Sequence, residues 1–258
     1  MHPVLFTLFG TEIHGYGLAS AFGFLVVCGI AITRGAALGV VRERIADVIF
    51  WTSVAGLIGS RLLYVLLNPS QFNGMGDWVN LRMGGLVFYG SLLLGLPVAA
   101  GLMRWFAMPY RPMMDVFATA LPIGHGIARL GCLMAGCCYG RPTDLPWAVV
   151  YTHPYAPGPH GVGLHPTQAY EAGWLLITGL LCNLRYPHRR FDGEIVLIWL
   201  GSYAIFRPIN ELFRDDPTRG WLLEGVLGQT VSTSQAISAV FGLVVVSLAV
   251  AWSRRARA

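Results

Sequence analysis

The chain has 258 residues, of which 55% are hydrophobic and only 12% charged. A soluble domain of this size would carry about twice that charged fraction, so the composition excludes an ordinary soluble protein. The net charge of +5 comes from arginine alone, and most arginines lie in short segments between apolar runs. That placement is typical of membrane-orientation signals, so no nucleic-acid partner is expected.

The hydropathy pattern predicts an all-α polytopic membrane protein with seven transmembrane helices. The expected spans run over about residues 14–33, 46–67, 85–103, from 113 into the segment 124–141, 166–184, 193–213 and 234–252. We interpret residues 1–258 as a single transmembrane domain without a cleaved signal peptide. Within it, the Pro- and Gly-rich segment 136–165 is predicted to form a small periplasmic loop or head, with a short strand near residues 147–151.

The arginines predict the orientation. Basic clusters follow the first, third, fifth and seventh spans, at residues 34–44, 104–111, 185–190 and 254–257. With seven spans all four clusters fall on one side, which the positive-inside rule assigns to the cytoplasm. The N-terminus is therefore expected outside and the C-terminus inside.

Seven arginines do not fit this orienting role, and all lie in the outer halves of spans or in outer loops: Arg61, Arg82, Arg129, Arg141, Arg207, Arg214 and Arg219. An arginine at bilayer depth costs roughly 3 to 10 kcal/mol, so it usually faces a protein interior and has an anionic partner. Arginine forks suit phosphate, and the abundant anion at this surface is a phospholipid headgroup. We therefore predict an anion-binding site at the outer membrane boundary.

Two helix faces carry this prediction. His125, Arg129 and Cys132 lie at positions i, i+4 and i+7, and so share one face of the fourth span. In the sixth span Arg207 and Glu211 share a face with Arg214, and Arg61 adds an arginine in the second span. The alternative is that Arg207 and Glu211 form a purely structural ion pair.

The cysteines point to no metal. Cys132, Cys137 and Cys138 lack the spacing of a metal site, although a disulfide among them remains open. The chain also lacks nucleotide-binding and nucleophile-elbow motifs. Neither a metal nor another cofactor is expected.

Six dispersed segments together resemble one family. They are residues 16–18 (YGL), 59–64 (GSRLLY), 84–90 (GGLVFYG), 128–144 (ARLGCLMAGCCYGRPTD), 165–171 (HPTQAYE) and 206–214 (FRPINELFR). In this order they are similar to the signature of the prolipoprotein diacylglyceryl transferase family. The resemblance implies an enzyme of the bacterial inner membrane with its active site toward the periplasm.

The resemblance implies the reaction and its partners. The enzyme would move the diacylglyceryl group of phosphatidylglycerol to the thiol of the lipobox cysteine in a prolipoprotein signal peptide, and would release glycerol phosphate. Membrane lipid surrounds such an enzyme, which we expect to be a monomer. Arg129 and Arg207 are assigned to the headgroup and the leaving phosphate.

Further residues fall on family positions or near them. His165 is assigned either a proton relay or a loop-anchoring role, and Glu211 is expected to orient Arg207. The expected substrate-binding residues, including this glutamate, are Tyr16, Arg61, His125, Gly140, Glu211 and Arg214.

The chain also departs from the family pattern. Tyr89-Gly90-Ser91 stands where the family commonly has His-Gly-Gly, so the role of base would pass to Tyr89, His125 or His165. Cys132 and Cys137 stand at positions usually occupied by Asn and Glu. The alternatives are therefore a related transferase with another acceptor, or a protein that binds or transports anionic lipid without chemistry.

Overall fold

The computed structural model describes residues 3–72, 74–80, 84–215, 221–226 and 229–255. Arg82, Arg219 and Arg257, which entered the sequence argument, lie outside these ranges. The chain forms two compact units. One is Ala31–Met113, and the other joins the chain up to Ile30 with the chain from Met114 onward.

Long helices dominate both units. The helices are α1 (Gly15–Ala37), α2 (Arg42–Leu67), α3 (Met75–Val79), α4 (Phe88–Trp105), α5 (Tyr110–Ala135), α6 (Thr167–Arg185), α7 (Glu194–Glu211) and α8 (Thr233–Arg255). The described residues also form three antiparallel strand pairs: β1 (Val4–Leu8) with β2 (Thr11–His14) before α1, β3 (Val149–Val150) with β4 (Gly163–Leu164) between α5 and α6, and β5 (Trp221–Val226) with β6 (Gln229–Ser232) between α7 and α8. Strand β3 confirms the short strand predicted near residues 147–151.

The helices have the character of membrane helices. Among the described residues, four helical segments are long and apolar enough to cross a bilayer: Gly15–Ala37, Arg42–Leu67, Tyr110–Ala135 and Gln235–Arg254. Helices α6 and α7 also present large apolar side chains to the outside, such as Ile177 and Ile205. Contiguous apolar surface of this extent is rare on soluble proteins. The predicted all-α membrane protein is confirmed, whereas the count of seven spans and their orientation stay predictions.

In the Ala31–Met113 unit, α2 packs against α4 at two glycines. A Cβ atom on Gly59 would meet the backbone of Gly90, and a Cβ on Gly90 would meet the backbone of Gly59. Small residues at such a crossing allow two helix backbones to approach closely, which is a common way to pack helices in lipid.

In the other unit, α5 is the helix around which α1 and α6 pack. A Cβ on Gly23 of α1 would lie 2.6 Å from the carbonyl oxygen of Gly124. On α6, a Cβ on Gly179 would lie 2.6 Å from the side chain of Ile123. These close approaches hold α5, which carries Arg129, between α1 and α6.

Asp115 connects α5 to the start of α7. Its carboxylate is completely buried and accepts hydrogen bonds from the backbone N–H groups of Gly193 (2.8 Å) and Val196 (3.0 Å). It therefore satisfies N–H groups at the start of α7, which have no partner within the helix, and its negative charge suits the positive end of the helix dipole. Arg189 lies 3.8 Å away and adds a positive charge.

We expect Asp115→Ala to reduce the free energy of unfolding by about 2 kcal/mol, because it leaves buried N–H groups without an acceptor. For a chain of this size this corresponds to a decrease of roughly 4–8 °C in the midpoint of thermal unfolding, measured in one detergent. Asp192→Ala is the matched control, since Asp192 also pairs with Arg189 but has a side chain that is 51% exposed. Equal midpoints for the two variants would contradict the capping role.

Candidate active site

The C-terminal end of α5 presents the face that its spacing predicts. His125, Arg129 and Cys132 follow one another along the helix, and Gly136 ends it. Gly136 has a φ of +77°, and its N–H donates to the carbonyl of Cys132 at 3.0 Å. A left-handed glycine of this kind is a common helix stop, and it turns the chain into the segment that carries Cys137 and Cys138.

Arg129 forms an ion pair with Glu171 of α6. The Arg129 Nε atom lies 3.1 Å from Glu171 Oε2, and the Glu171 side chain is only 2% exposed. The Tyr203 hydroxyl of α7 donates to Glu171 Oε1 at 2.8 Å, and His125 Nε2 lies 3.9 Å from the same oxygen. One buried carboxylate therefore contacts groups from α5 and α7 and fixes the position of Arg129.

Arg207 forms the second ion pair of the site. Its Nη2 atom lies 2.7 Å from Glu211 Oε2, with the side chains 13% and 1% exposed. This confirms the pair predicted from their spacing. Arg207 is also near enough to Glu171 and His125 to interact with both electrostatically. The two arginines of α5 and α7 thus belong to one charged cluster.

The charged groups of this cluster include carboxylates as well as arginines. At Arg129 and Arg207, two guanidinium groups face two carboxylates. Arg214 adds a third guanidinium that is 8% exposed and interacts electrostatically with Cys138. The carboxylates of Glu171 and Glu211 orient the guanidinium groups of Arg129 and Arg207.

The turn after α5 is fixed by several hydrogen bonds. The backbone of Gly140 donates to the carbonyl of His165 at 3.0 Å, and the backbone of Arg141 donates to that of Phe213 at 2.8 Å. Gly140 and Arg214 also form an isolated β-bridge. The turn is therefore held between the segment before α6 and the segment after α7.

Gly140 occupies a position where a side chain does not fit. A Cβ there would lie 2.6 Å from the Cβ and the carbonyl oxygen of His165, and 2.6 Å from the carbonyl oxygen of Phe213. This close approach is a packing reason for glycine. Its substrate-binding role stays a prediction.

We expect Gly140→Ala to lower the free energy of unfolding by about 1–3 kcal/mol, because two of the three contacts are to backbone and cannot rotate away. Gly173→Ala is the control, since a Cβ at this helical position meets nothing within 4 Å. The control should be neutral or stabilising by about 0.5–1 kcal/mol. Thermal unfolding of both purified variants tests this, and a Gly140→Ala variant as stable as Gly173→Ala would contradict it.

His165 lies in an aromatic group beside this turn. Its Nδ1 atom is 3.1 Å from the Tyr170 hydroxyl, which also accepts a hydrogen bond from Trp147 Nε1 at 2.9 Å. The His165 ring is 5.2 Å from that of Phe213. These contacts are those of a residue that anchors the loop, one of its two predicted roles. The proton relay remains untested.

Tyr16 of α1 lies close to the charged cluster. A Cβ on Gly131 would be 3.0 Å from Tyr16 Cα, so α1 and α5 are in close contact here. Tyr16 is 48% exposed and interacts electrostatically with Arg129 and Cys132. Its location is compatible with the predicted substrate-binding role.

Arg61 and Tyr89 belong to the Ala31–Met113 unit. All five N–H groups of the Arg61 guanidinium donate to backbone carbonyls, those of Trp78, Gly84, Gly85, Asp77 and Asn80. Arg61 thus organises the loop between α2 and α4, and no donor is left over for an anion. Tyr89 is partly buried in the first turn of α4, with its ring 6.1 Å from that of Phe88.

The sequence interpretation missed Glu171 and Tyr203 as site residues. Glu171 was available as a signal, because it is an acidic residue in an apolar helix and an unpaired charge there is costly. Its partner could not be identified by spacing, since Arg129 lies on a different helix. Tyr203 lies one turn before Arg207, on the same face of α7.

Comparison with known proteins identifies the family. The profile of the prolipoprotein diacylglyceryl transferase family matches residues 3–252. The chain belongs to this family. It is 33% identical to the phosphatidylglycerol–prolipoprotein diacylglyceryl transferase of Geobacter sulfurreducens over an alignment of 266 positions, which covers 98% of this chain and 96% of the relative. It is 32% identical to the protein of the same name from Clostridium tetani over 248 residues, with 92% of both chains covered.

A third relative with this name, from Legionella pneumophila strain Paris, is 30% identical over 246 residues, covering 90% of this chain and 92% of its own. The match to the family spans both compact units. The charged cluster of α5, α6 and α7 is therefore a feature of a member of this family, and the resemblance noted on six short segments is confirmed.

Proposed function

We propose that this protein transfers the diacylglyceryl group of phosphatidylglycerol to the lipobox cysteine thiol of a prolipoprotein, with release of glycerol phosphate. One observation carries the proposal. Arg129 and Arg207, on two different helices of a family member, are each oriented by a buried glutamate within one cluster. Two oriented guanidinium groups are suited to bind a phosphate ester in a defined orientation.

The reaction breaks a bond between a glyceryl carbon and a phosphate oxygen. Negative charge increases on the leaving phosphate as this bond breaks, so arginines that bind it more strongly in the transition state accelerate the reaction. Glu171 holds Arg129 through the Nε atom of the arginine. The terminal nitrogens of Arg129 therefore form the edge that would meet the phosphate. The acceptor must lose its proton, because the thiolate is the nucleophile.

We assign the remaining roles as follows. Tyr89 is proposed as the base at the position of the family histidine, with His165 as an alternative proton relay. His125, Tyr16 and Arg214 are proposed to contact substrate near the cluster, and Arg61 to act through the loop that it organises. Unchanged turnover of a Tyr89→Phe variant would exclude Tyr89 as the base.

We further propose a monomer with seven spans, its N-terminus outside and its C-terminus in the cytoplasm. The arginine clusters between the expected spans support this orientation. The charged cluster would then lie near the outer surface of the bacterial inner membrane, where a secreted prolipoprotein and the headgroup of phosphatidylglycerol can meet.

Release of labelled glycerol phosphate tests the proposal. Purified protein in micelles that contain phosphatidylglycerol labelled in its terminal glycerol should release label only when a lipobox peptide is added. The peptide should gain the mass of one diacylglyceryl group. A peptide with serine in place of the lipobox cysteine is the control for the acceptor.

A transferase with another acceptor remains the second candidate, because Cys132 and Cys137 stand at positions where the family usually has Asn and Glu. It predicts that a lipobox peptide is not modified, while another thiol or hydroxyl compound supports release of label. A protein that only binds lipid would release no label with any acceptor.

A further inference from the structure

Three cysteines lie close together where α5 ends, and two of their thiols contact the guanidinium of Arg129. Arg129 Nη1 lies 3.7 Å from Cys138 Sγ and 4.0 Å from Cys132 Sγ. The Cys137 thiol contacts the carbonyl oxygen of Cys132 at 3.8 Å. All three cysteines are free; Cys132 is buried, whereas Cys137 and Cys138 are partly exposed. The proposed transfer reaction does not use this thiol cluster.

The backbone holds Cys138 in an unusual conformation. Its φ is +58°, in the left-handed region that residues other than glycine rarely adopt and that costs of order 1–3 kcal/mol. The Thr167 hydroxyl donates to the carbonyl of Cys138 at 2.7 Å, and Gln168 Nε2 donates to that of Cys137 at 2.5 Å. These bonds from α6 keep the Cys138 sulfur against Arg129.

The surroundings of Cys138 favour its thiolate. Hydrogen bonds with the thiols of Cys132 and Cys137 lower the pKa of the Cys138 thiol most, and the charges of Arg129 and Arg214 lower it further against the effect of burial. The pKa of Cys137 is raised, because its thiol is hydrogen-bonded to Cys132 and Cys138. The pKa values of these two adjacent cysteines are thus shifted in opposite directions. The phenol of Tyr151 also interacts electrostatically with Cys138.

We propose that Cys138 is an oxidation site that reacts with hydroperoxides and is then joined to Cys132 in a disulfide. A partly exposed thiolate beside a second thiol is the arrangement that redox-sensitive cysteines share. Cys132 is the resolving partner because both sulfurs contact the same Arg129 nitrogen. Cys137 is directed instead at a backbone carbonyl, and a bond between the sequence neighbours Cys137 and Cys138 would close a small ring.

Each step balances. The Cys138 thiolate attacks one oxygen of the hydroperoxide, so an S–O bond forms and the O–O bond breaks. The departing hydroxide or alkoxide takes up a proton, and Cys138 becomes a sulfenic acid. The Cys132 sulfur then attacks the Cys138 sulfur, so an S–S bond forms and water leaves with the Cys132 proton. The cysteines are oxidised by two electrons and the peroxide is reduced by two.

The proposed oxidation would also change the charge at the site. Arg129 Nη1 would lose the negative charge of the Cys138 thiolate beside it. This guanidinium is the one proposed to bind the lipid phosphate. This consequence rests on the proposed function, whereas the thiol chemistry does not. The reactivity of the thiols can therefore be measured directly, without any transfer activity.

Alkylation tests the thiolate. Reduced full-length protein in micelles is treated with iodoacetamide below the ordinary thiol pKa of about 8.5, and each cysteine is quantified by mass spectrometry. We expect Cys138 to react at least about tenfold faster than Cys137, which is also partly exposed, and Arg214→Gln to reduce this ratio. Equal rates for the two cysteines, or faster alkylation of Cys137, would overturn the proposal.

Hydrogen peroxide tests the oxidation step. We expect peptides linked through Cys132 and Cys138 in the wild-type protein, and the same link in a Cys137→Ala variant. In a Cys132→Ala variant, a dimedone adduct on Cys138 should replace the link. Failure to oxidise Cys138 in the wild type would overturn the site, and a Cys137–Cys138 link in its place would overturn the resolving role of Cys132.

Discussion

We expect Arg129→Gln to lower kcat for glycerol phosphate release by about a hundred- to a thousandfold, which is typical when one charged or hydrogen-bonding group that stabilises a transition state is removed. Glutamine keeps a planar polar end but has no positive charge and no fork for phosphate. The loss should be greater in kcat than in KM, because charge on the leaving phosphate increases only as the glyceryl bond breaks. Single-turnover release of label from phosphatidylglycerol separates the two effects.

The chain provides a matched control in Arg185→Gln. Arg185 also pairs with a glutamate across α6 and α7, with its Nη2 atom 2.8 Å from Glu194 Oε1, but it lies at the opposite end of α6 from Glu171. Its replacement removes the same charge and the same kind of ion pair. If both variants lose turnover equally, the loss at Arg129 reflects stability and the phosphate role is wrong.

The sequence predicted the helical faces of this site better than the contacts between them. Spacing placed Arg207 and Glu211 one turn apart, and the structure has their ion pair because both residues lie on one helix. Arg129 and Glu171 are on different helices, so their 3.1 Å contact depends on how α5 packs against α6. Local spacing carries no information on that packing. The glycines that allow it, such as Gly126 and Gly179, become meaningful only once their neighbours are known.

The partners of Arg61 could not be predicted from residue types. The free-energy cost of placing a charged arginine at membrane depth predicted an anionic partner for Arg61. In the structure, its five N–H donors instead bind carbonyl groups of a single loop. Carbonyl oxygens carry partial negative charge and can satisfy a buried guanidinium as well as one carboxylate can. Since every residue has a carbonyl, no residue type in the sequence marks such a partner.

We expect Glu171→Gln to lower kcat by about ten- to a hundredfold, as is typical when a group that orients a reactive residue is changed. The substitution keeps the size of the side chain and an oxygen for the Tyr203 hydroxyl, but removes the charge that holds Arg129 Nε. Arg129 then remains positive without the neighbouring negative charge, so KM for the anionic lipid should fall. A simple loss of fold would instead reduce the fraction of active protein and leave KM unchanged for the remainder. Glu194→Gln, at the Arg185 pair, controls for the loss of a partly buried carboxylate that pairs with an arginine.

The double variant distinguishes positioning from direct catalysis. If Glu171 acts only through Arg129, then Arg129→Gln combined with Glu171→Gln should be about as slow as Arg129→Gln alone, because the group that Glu171 orients is already absent. Losses that multiply in the double variant would mean that Glu171 has a separate role, for example through His125, which lies 3.9 Å from its carboxylate. Tyr203→Phe should show a smaller loss with the same dependence on Arg129, since it removes one hydrogen bond to the carboxylate and leaves the charge in place.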